Sequence, residues 1–333
     1  MRLGIIVRDD NTGLGYQTRA YHKHLKPHKT IVIDLSPLNG NKQNSWYPDA
    51  LTLKGIPQDN QLDEILSDID VLLTAETPYN LNLYKRAREL GVKTVCVENP
   101  EFYDHIIYPQ YELPDLIILP SVWLEDYIRQ HAESKGTKVI QLHHPVDLED
   151  FPFRERSTAF PMHLAGNPAA NDRNGTFDFM DACPEGIVTT QSEELAHQIR
   201  SRYRHSTVYT GIEDAQFIYQ LGDVMVLPRK YGGNCLPLNE ALASGMPVIM
   251  TDISPNNHLL PSEWLVPTHY SGQFAPRFII QLNEAEKPAL YEKIEWFRNC
   301  DIAAESRKAY EIAKTISWEA LLPKYMEALE SIL

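Results

Sequence analysis

Cysteine is scarce in this chain: Cys96, Cys183, Cys235 and Cys300 stand far apart, with no Cys-x-x-Cys pair. That spacing argues against a disulfide framework and against a cysteine-built zinc site, and leaves reduced thiols in a cytoplasmic setting as the expectation. Long hydrophobic runs are missing as well. The opening MRLGIIVRDD is too short in its apolar part for a signal peptide. No stretch approaches the ~20 apolar residues of a membrane span, so no stable membrane insertion is expected. Positive charge is in deficit, with 31 Lys and Arg against 45 Asp and Glu and a net charge of −14. The excess of acids is shared by both halves, which disfavours nonspecific contact with nucleic acid or acidic membranes. Two local basic runs remain, HKHLKPHK at 22–29 and RSRYRH at 200–205, readable as solvated helix ends or as an anion patch. Internal repeats and low-complexity tracts are absent.

What is present is material for two packed cores. A chain of 333 residues with 43% hydrophobic content exceeds the usual single domain, so two domains of roughly 150 residues are expected. Strand and helix alternate from the start: Leu3 to Val7 as strand, a glycine-bearing loop DDNTGLGYQ, Thr18 to Leu25 as helix, and Lys29 to Leu35 as strand. Leu62 to Ile69, Val71 to Thr74 and Leu81 to Leu90 continue the rhythm, followed by KTVCVEN, LIILPS, VWLEDYIRQHAE and KVIQLHH. Such alternation makes a doubly wound parallel sheet. After the polar, proline-flanked DLEDFPFRERSTAFP the pattern restarts with MHLAGN, IVTT and STVYTG, and a helical tail runs from Ala285 to the end. His143 and His144, at the close of the first half, read as packing residues.

The stretch from Asp223 to Asp252 organises the second half. Val224 to Leu227 and Val248 to Met250 are short apolar runs of the kind that form buried parallel strands. Between them Leu236 to Ser244 reads as a helix, with Gly245 as a left-handed cap and Pro247 as a stop. Gly232, Gly233 and Asn234 make a turn without bulky side chains, so backbone N–H groups at a helix N-terminus can approach an anion closely. Glu240 follows about one turn into the helix, placed to accept hydrogen bonds from hydroxyls. Strand, glycine turn, helix and carboxylate describe a site for a phosphate joined to a sugar. Other motifs fall at strand ends: Gly13 and Gly15 after the first strand, Glu76 after the third, Glu98, Asn99 and Glu101 after the fourth, and Gly166-Asn167 at the opening of the second domain. Two sheets whose strand ends face one interdomain cleft would gather them there.

With these residues in hand, the chain resembles retaining glycosyltransferases of the two-Rossmann GT-B fold, and most closely the fourth sequence family, in its compact, often phage-encoded form. The family's signature ends in a second Glu followed by Ala and a Gly-x-Pro-Val strand, which Glu240, Ala241, Gly245, Pro247 and Val248 match. The signature's first Glu, eight positions earlier, is Gly232 here, and its later turn glycine is Cys235. By resemblance Glu240 binds the ribose hydroxyls. The diphosphate-binding Arg and Lys fall on Asn167 and Arg173, with Arg229 and Lys230 available beside the turn. The family's glycine loop falls on Gly13 and Gly15, HHPVDLEDF resembles the close of the N-terminal domain, and ISWEALLPKYMEAL resembles a last helix that crosses back.

The resemblance implies an α/β chain of two Rossmann-like domains facing a cleft: 1–150 on the acceptor side, 151–315 on the nucleotide-sugar side, and 316–333 as the returning helix. It implies metal-independent transfer, with retention, of a hexosyl or pentosyl group from a nucleotide diphosphate sugar to a hydroxyl acceptor. Glu101, Asn99 and Glu76 are the candidates nearest the chemistry. The single Asp-x-Asp, Asp68-Ile69-Asp70, precedes a strand and reads as a solvated turn, so no metal and no cofactor are expected. A UDP-sugar is placed ahead of a GDP-sugar, and carbohydrate ahead of other acceptors. Two alternatives stay open: an acceptor that is a modified base of phage DNA, and a binding protein that has lost catalysis, motivated by Gly232.

Overall fold

The computed structural model describes residues 1–103, 110–166, 170–212, 214–275 and 278–333. It divides into one unit made of Met1–His144 with Leu321–Leu333, and a second made of Pro145–Ala320. No helix among the described residues is long and apolar enough to cross a membrane.

In the first unit the strands are β1 (Leu3–Val7), β2 (Lys29–Asp34), β3 (Leu51–Lys54), β4 (Val71–Ala75), β5 (Lys93–Val97), β6 (Leu116–Leu119) and β7 (Lys138–Gln141). They form a wholly parallel sheet in the order β3-β2-β1-β4-β5-β6-β7. The connecting helices are α1 (Gly13–Leu25), α2 (Ser36–Asn39), α3 (Leu62–Leu66), α4 (Leu83–Glu89) and α5 (Glu125–Glu133). β1 and β4 are buried along their whole length, as strands covered on both faces must be. Helix α1 begins five residues before its apolar spacing announces it, because the Thr12 hydroxyl accepts from Gly15 N at 3.1 Å and caps the first turn. Helix α3 stops at Leu66, short of Ile69, where Asp68 turns the chain at φ 61°.

The second unit repeats the plan. Its strands β8 (Pro161–Gly166), β9 (Ile187–Thr190), β10 (Thr207–Tyr209), β11 (Val224–Leu227), β12 (Val248–Thr251) and β13 (Leu265–Val266) are parallel in the order β10-β9-β8-β11-β12-β13. Helices α6 (Thr176–Ala182), α7 (Glu193–Arg202), α8 (Ala215–Ile218) and α9 (Leu236–Ala243) connect them. An antiparallel hairpin of β14 (Thr268–Phe274) and β15 (Ile280–Ala285) follows, then α10 (Lys287–Asn299), α11 (Ile302–Thr315) and α12 (Trp318–Glu330). Gly245 ends α9 at φ 76°. From Leu321 onward α12 belongs to the first unit, where Tyr325 is buried and its hydroxyl donates to His143 O at 3.1 Å.

Both sheets have the doubly wound order in which strand direction of travel reverses between the first strand and its fourth-numbered neighbour. Ligands bind such sheets outside the carboxyl ends of the two strands at that reversal. The relevant ends are those of β1 and β4 in the first unit, and of β8 and β11 in the second.

Candidate functional site

In the second unit the loop after β8 and the turn after β11 pack onto each other. Gly175 adopts φ 68°, and a Cβ there would lie 2.3 Å from Pro228 O, so only glycine lets the two segments meet. Lys230 N donates to Arg173 O at 2.9 Å, and the Arg173 guanidinium in turn donates to Gly232 O and lies 4.7 Å over the Tyr231 ring. The cation is thereby fixed beside the Gly232-Gly233-Asn234 turn. A guanidinium is a planar fork of five N–H donors, the shape that suits phosphate oxygens.

Arg229 is 3% exposed and points inward, its Nη1 3.5 Å from Asn234 O, while Thr251 donates its hydroxyl to Arg229 O at 2.5 Å. It props the turn from behind. Lys230 is directed to two carboxylates, Glu284 at 3.1 Å and Asp178 at 3.4 Å. Burial disfavours its charge, but these acids outweigh that and raise its pKa. Asn167 lies outside the described residues.

Glu240 stands on α9 one turn from the glycine turn, half-buried. The Tyr219 hydroxyl donates to its Oε2. Burial lifts this carboxyl to about 7, against the lowering effect of that hydrogen bond. Tyr219 carries no signal in the sequence beyond that of an apolar helix residue, and its partner lies 21 positions away.

In the first unit the turn between β1 and α1 is built on buried acids. Arg8 pairs with Asp10, which is fully buried and accepts the Thr12 hydroxyl at 2.5 Å, while Asp9 accepts Ser45 N and Trp46 N, each at 3.0 Å. A Cβ on Gly15 would lie 1.9 Å from Asp10 O, whereas nothing stands within 4 Å of one on Gly13. Asn99 reaches this helix: its Nδ2 is 3.4 Å from Gln17 Oε1. Glu76 sits at the end of β4 in the left-handed region, φ 67°, with its N bonded to Val97 O at 2.8 Å. A non-glycine residue held there is a local strain of the kind that gathers at functional sites. Glu101 lies on a 3-10 turn, Pro100–Phe102, half-buried, and Glu98 is only 3% exposed, so neither is a freely solvated loop acid.

The structure thus groups Arg173, Arg229, Gly232, Gly233, Asn234 and Glu240 around the carboxyl ends of β8 and β11, and Gly13, Gly15, Glu76, Asn99 and Glu101 around those of β1, β4 and β5. Asp70 is elsewhere, at the amino end of β4, held by the Arg2 guanidinium at 2.9 Å. The basic runs are engaged within their own units: Lys29 Nζ donates to Ser67 Oγ at 2.9 Å, and Arg202 pairs with Asp181 at 3.1 Å.

Residues 185–283 match the family Glycosyl transferases group 1. No curated protein matches the chain. Among solved structures, sucrose-phosphate synthase (tll1590) from Thermosynechococcus elongatus is similar at 14% identity and a TM-score of 0.70, over 99% of this chain and 98% of that one. Anabaena Alr3699/HepE in complex with UDP is similar at 13% identity and a TM-score of 0.70, over 99% and 100%. An alpha-glucosyltransferase in complex with UDP and a 13-mer DNA containing an HMU base follows at 10% identity and 0.61, over 99% of each chain. At these identities the likeness is one of fold: the chain has the GT-B architecture of two Rossmann-like domains, and its match to Glycosyl transferases group 1 covers the segment that carries Arg229 to Glu240.

Proposed function

We propose that this chain is a metal-independent retaining glycosyltransferase that moves a sugar from a UDP-sugar to a hydroxyl acceptor. The observation that carries the reading is the arrangement at the carboxyl ends of β8 and β11: a glycine turn with Arg173 fixed beside it and a carboxylate, Glu240, one turn along the helix. Its glycine turn and Glu240 lie within residues 185–283, which match Glycosyl transferases group 1, while Arg173 precedes that segment; solved neighbours of the same fold hold UDP and UDP-glucose.

In this reading Glu240 accepts the ribose hydroxyls. Arg173 and the backbone N–H groups of Gly232 to Asn234 take the diphosphate. Arg229 braces that turn, and Lys230 brings a further cation to its edge. By the resemblance, the Gly13 to Gly15 end of α1 supplies further N–H groups, and Glu76, Asn99 and Glu101 meet the sugar and the acceptor. Fixed donors of this kind stabilise charge as it develops on the leaving diphosphate. The bond between the anomeric carbon and the β-phosphate oxygen breaks with its electron pair leaving on UDP. The acceptor oxygen bonds to the anomeric carbon from the same face, and its proton passes to the departing diphosphate, so no protein nucleophile is used.

The test is a panel of UDP-, GDP- and ADP-sugars assayed for nucleotide diphosphate release, with and without carbohydrate acceptors. Release from one donor, increased by an acceptor, unaffected by EDTA and yielding the donor's anomeric configuration, is expected. Binding of a nucleotide sugar with neither hydrolysis nor transfer would instead leave a non-catalytic binding protein. A DNA acceptor is the second reading, favoured by the fold shared with the alpha-glucosyltransferase seen with HMU-containing DNA. Transfer to duplex carrying 5-hydroxymethyluracil, with none to oligosaccharides, would establish it.

A further inference from the structure

Tyr219 closes helix α8 and is 2% exposed, with its ring packed edge-on against Phe151 at 5.5 Å and 88°. A phenylalanine would fill that space equally well. The hydroxyl is what distinguishes the residue, and it is spent on Glu240 Oε2. Among the described residues the other carboxylate oxygen, Oε1, takes no hydrogen bond, and Glu240 itself is half-buried rather than enclosed.

The position of Tyr219 is itself secured from the helix that carries Glu240. Arg156 is 1% exposed, and its Nη1 donates to Tyr219 O at 3.0 Å and to Gly222 O at 2.8 Å. Its Nη2 donates to Ser244 O and Ser244 Oγ, both at 3.0 Å, at the end of α9. Ser244 N is bonded to Glu240 O at 3.0 Å. One guanidinium therefore ties the segment bearing Tyr219 to the helix bearing Glu240.

We propose that Tyr219 is a positioning residue whose hydroxyl holds the Glu240 carboxylate in one rotamer, with one oxygen presented to the ribose hydroxyls of the donor nucleotide. The proposal rests on the reading that Glu240 binds ribose. Its physical basis is preorganisation: a glutamate has three rotatable bonds, and freezing them before the ligand arrives removes that cost from binding. The same hydrogen bond favours the ionised carboxyl, while burial opposes it. The titratable groups facing this carboxyl are Tyr219, from the end of α8, and beside Tyr219 the thiol of Cys235, just ahead of α9. Arg156 meets Tyr219 only through its carbonyl.

The sign follows from the two opposing effects. Removing the hydroxyl leaves burial unopposed, so the Glu240 carboxyl holds its proton to higher pH, and fewer molecules carry the carboxylate at neutrality. The experiment titrates the full chain with UDP from pH 5.5 to 9 for wild type, Tyr219→Phe, Glu240→Gln and the double variant. In parallel, the Glu240 carboxyl is titrated by 13C NMR without nucleotide. Tyr219→Phe is expected to weaken UDP binding roughly 3- to 10-fold at pH 7, to recover as pH rises, and to move the NMR midpoint upward. Glu240→Gln is expected to bind weakly at every pH and to be indifferent to a further Tyr219→Phe.

A Tyr219→Phe protein whose carboxyl titration and UDP affinity coincide with wild type overturns the proposal. So does an equal loss at all pH values that persists on top of Glu240→Gln, which marks a merely structural role. If wild type binds UDP but no variant at 240 alters it, the ribose reading fails, and the NMR midpoint still decides whether Tyr219 governs the carboxyl.

Discussion

Lys230 donates to Glu284 at 3.1 Å, and a second carboxylate, Asp178, stands 3.4 Å from the same ammonium. The lysine next to the glycine turn thus already has two anionic partners, supplied by α6 and by the hairpin strand β15. Its side chain is 12% exposed, so the pair is desolvated enough for its loss to be felt. Lys230→Met should destabilise the second unit by ~1–2 kcal/mol, below the range for a fully buried pair because Glu284 remains partly solvated. Nucleotide affinity should fall less than in Arg173→Ala. Urea unfolding together with a UDP titration of both variants checks this, and equal affinity losses would show that Lys230 releases its acids to hold the phosphate.

Gly13 and Gly15 share the first turn of α1 but carry different duties. At Gly15 any Cβ meets Asp10 O at 1.9 Å, and Asp10 cannot retreat, being buried, paired with Arg8 and bonded to Thr12. At Gly13 there is open space. Gly15→Ala should therefore cost ~2 kcal/mol or more through a displaced loop, and Gly13→Ala should stay within ~0.5 kcal/mol. Comparison of the two midpoints of thermal unfolding decides it. A mild Gly15→Ala would mean that the β1 to α1 turn is softer than its hydrogen bonds imply.

Strands covered on both faces, such as Leu3–Val7 and Val224–Leu227, stand out in the sequence because nothing polar interrupts them. The edge strand β3 does not: of LTLK only Leu53 is buried. The hairpin Thr268–Phe274 with Ile280–Ala285 also escapes such reading, being rich in polar residues with only Ile280 and Ala285 buried. Helix α7 escapes it too: Ser192 caps Leu195 N at 3.2 Å, but the apolar stripe behind that cap is thin. At the site, glycines and carboxylates at strand ends could be placed because the doubly wound order brings those ends together. Tyr219 and Arg156 could not. Their hydrogen bonds join residues 21, 63 and 88 positions apart, and such pairings leave no periodicity to follow.

The segment after Asp150 reads as a polar connector, yet Arg156 within it is among the most buried large side chains. Arg154 N donates to Ser244 O at 3.0 Å, and Arg156 N donates to Ser306 Oγ at 3.1 Å. Burial pulls the Arg156 guanidinium down to about 10, still charged at neutrality, and its partners are carbonyls and a hydroxyl. Arg156→Met keeps the bulk but strands those carbonyls, at an expected ~3 kcal/mol. Arg156→Lys should recover only part, since one ammonium cannot span Tyr219, Gly222 and Ser244 together. Denaturant midpoints give the stabilities. A neutral Arg156→Met would show that water replaces the guanidinium.

His144 and Tyr21 meet in the core of the first unit, Nδ1 to Oη at 3.1 Å, with the Tyr325 hydroxyl 3.4 Å from that of Tyr21. Burial, aided by His143, lowers His144 to about 3, and burial alone lowers His143 to about 4. Both imidazoles are therefore neutral in the folded chain at neutral pH. In the unfolded chain they take up protons below about 6.5. Because their folded values are depressed, their contribution to stability is complete above about 6.5. It is lost as pH falls toward about 4 for His143 and about 3 for His144. Each should steepen the decline by up to ~1.4 kcal/mol per pH unit in that window. Urea midpoints measured from pH 7.5 to 5 should fall accordingly, and His144→Gln, which cannot titrate, should flatten the slope while lowering stability at pH 7.5. An unchanged slope would mean that protonated His144 finds an acceptor in the folded core, such as the Tyr21 hydroxyl oxygen.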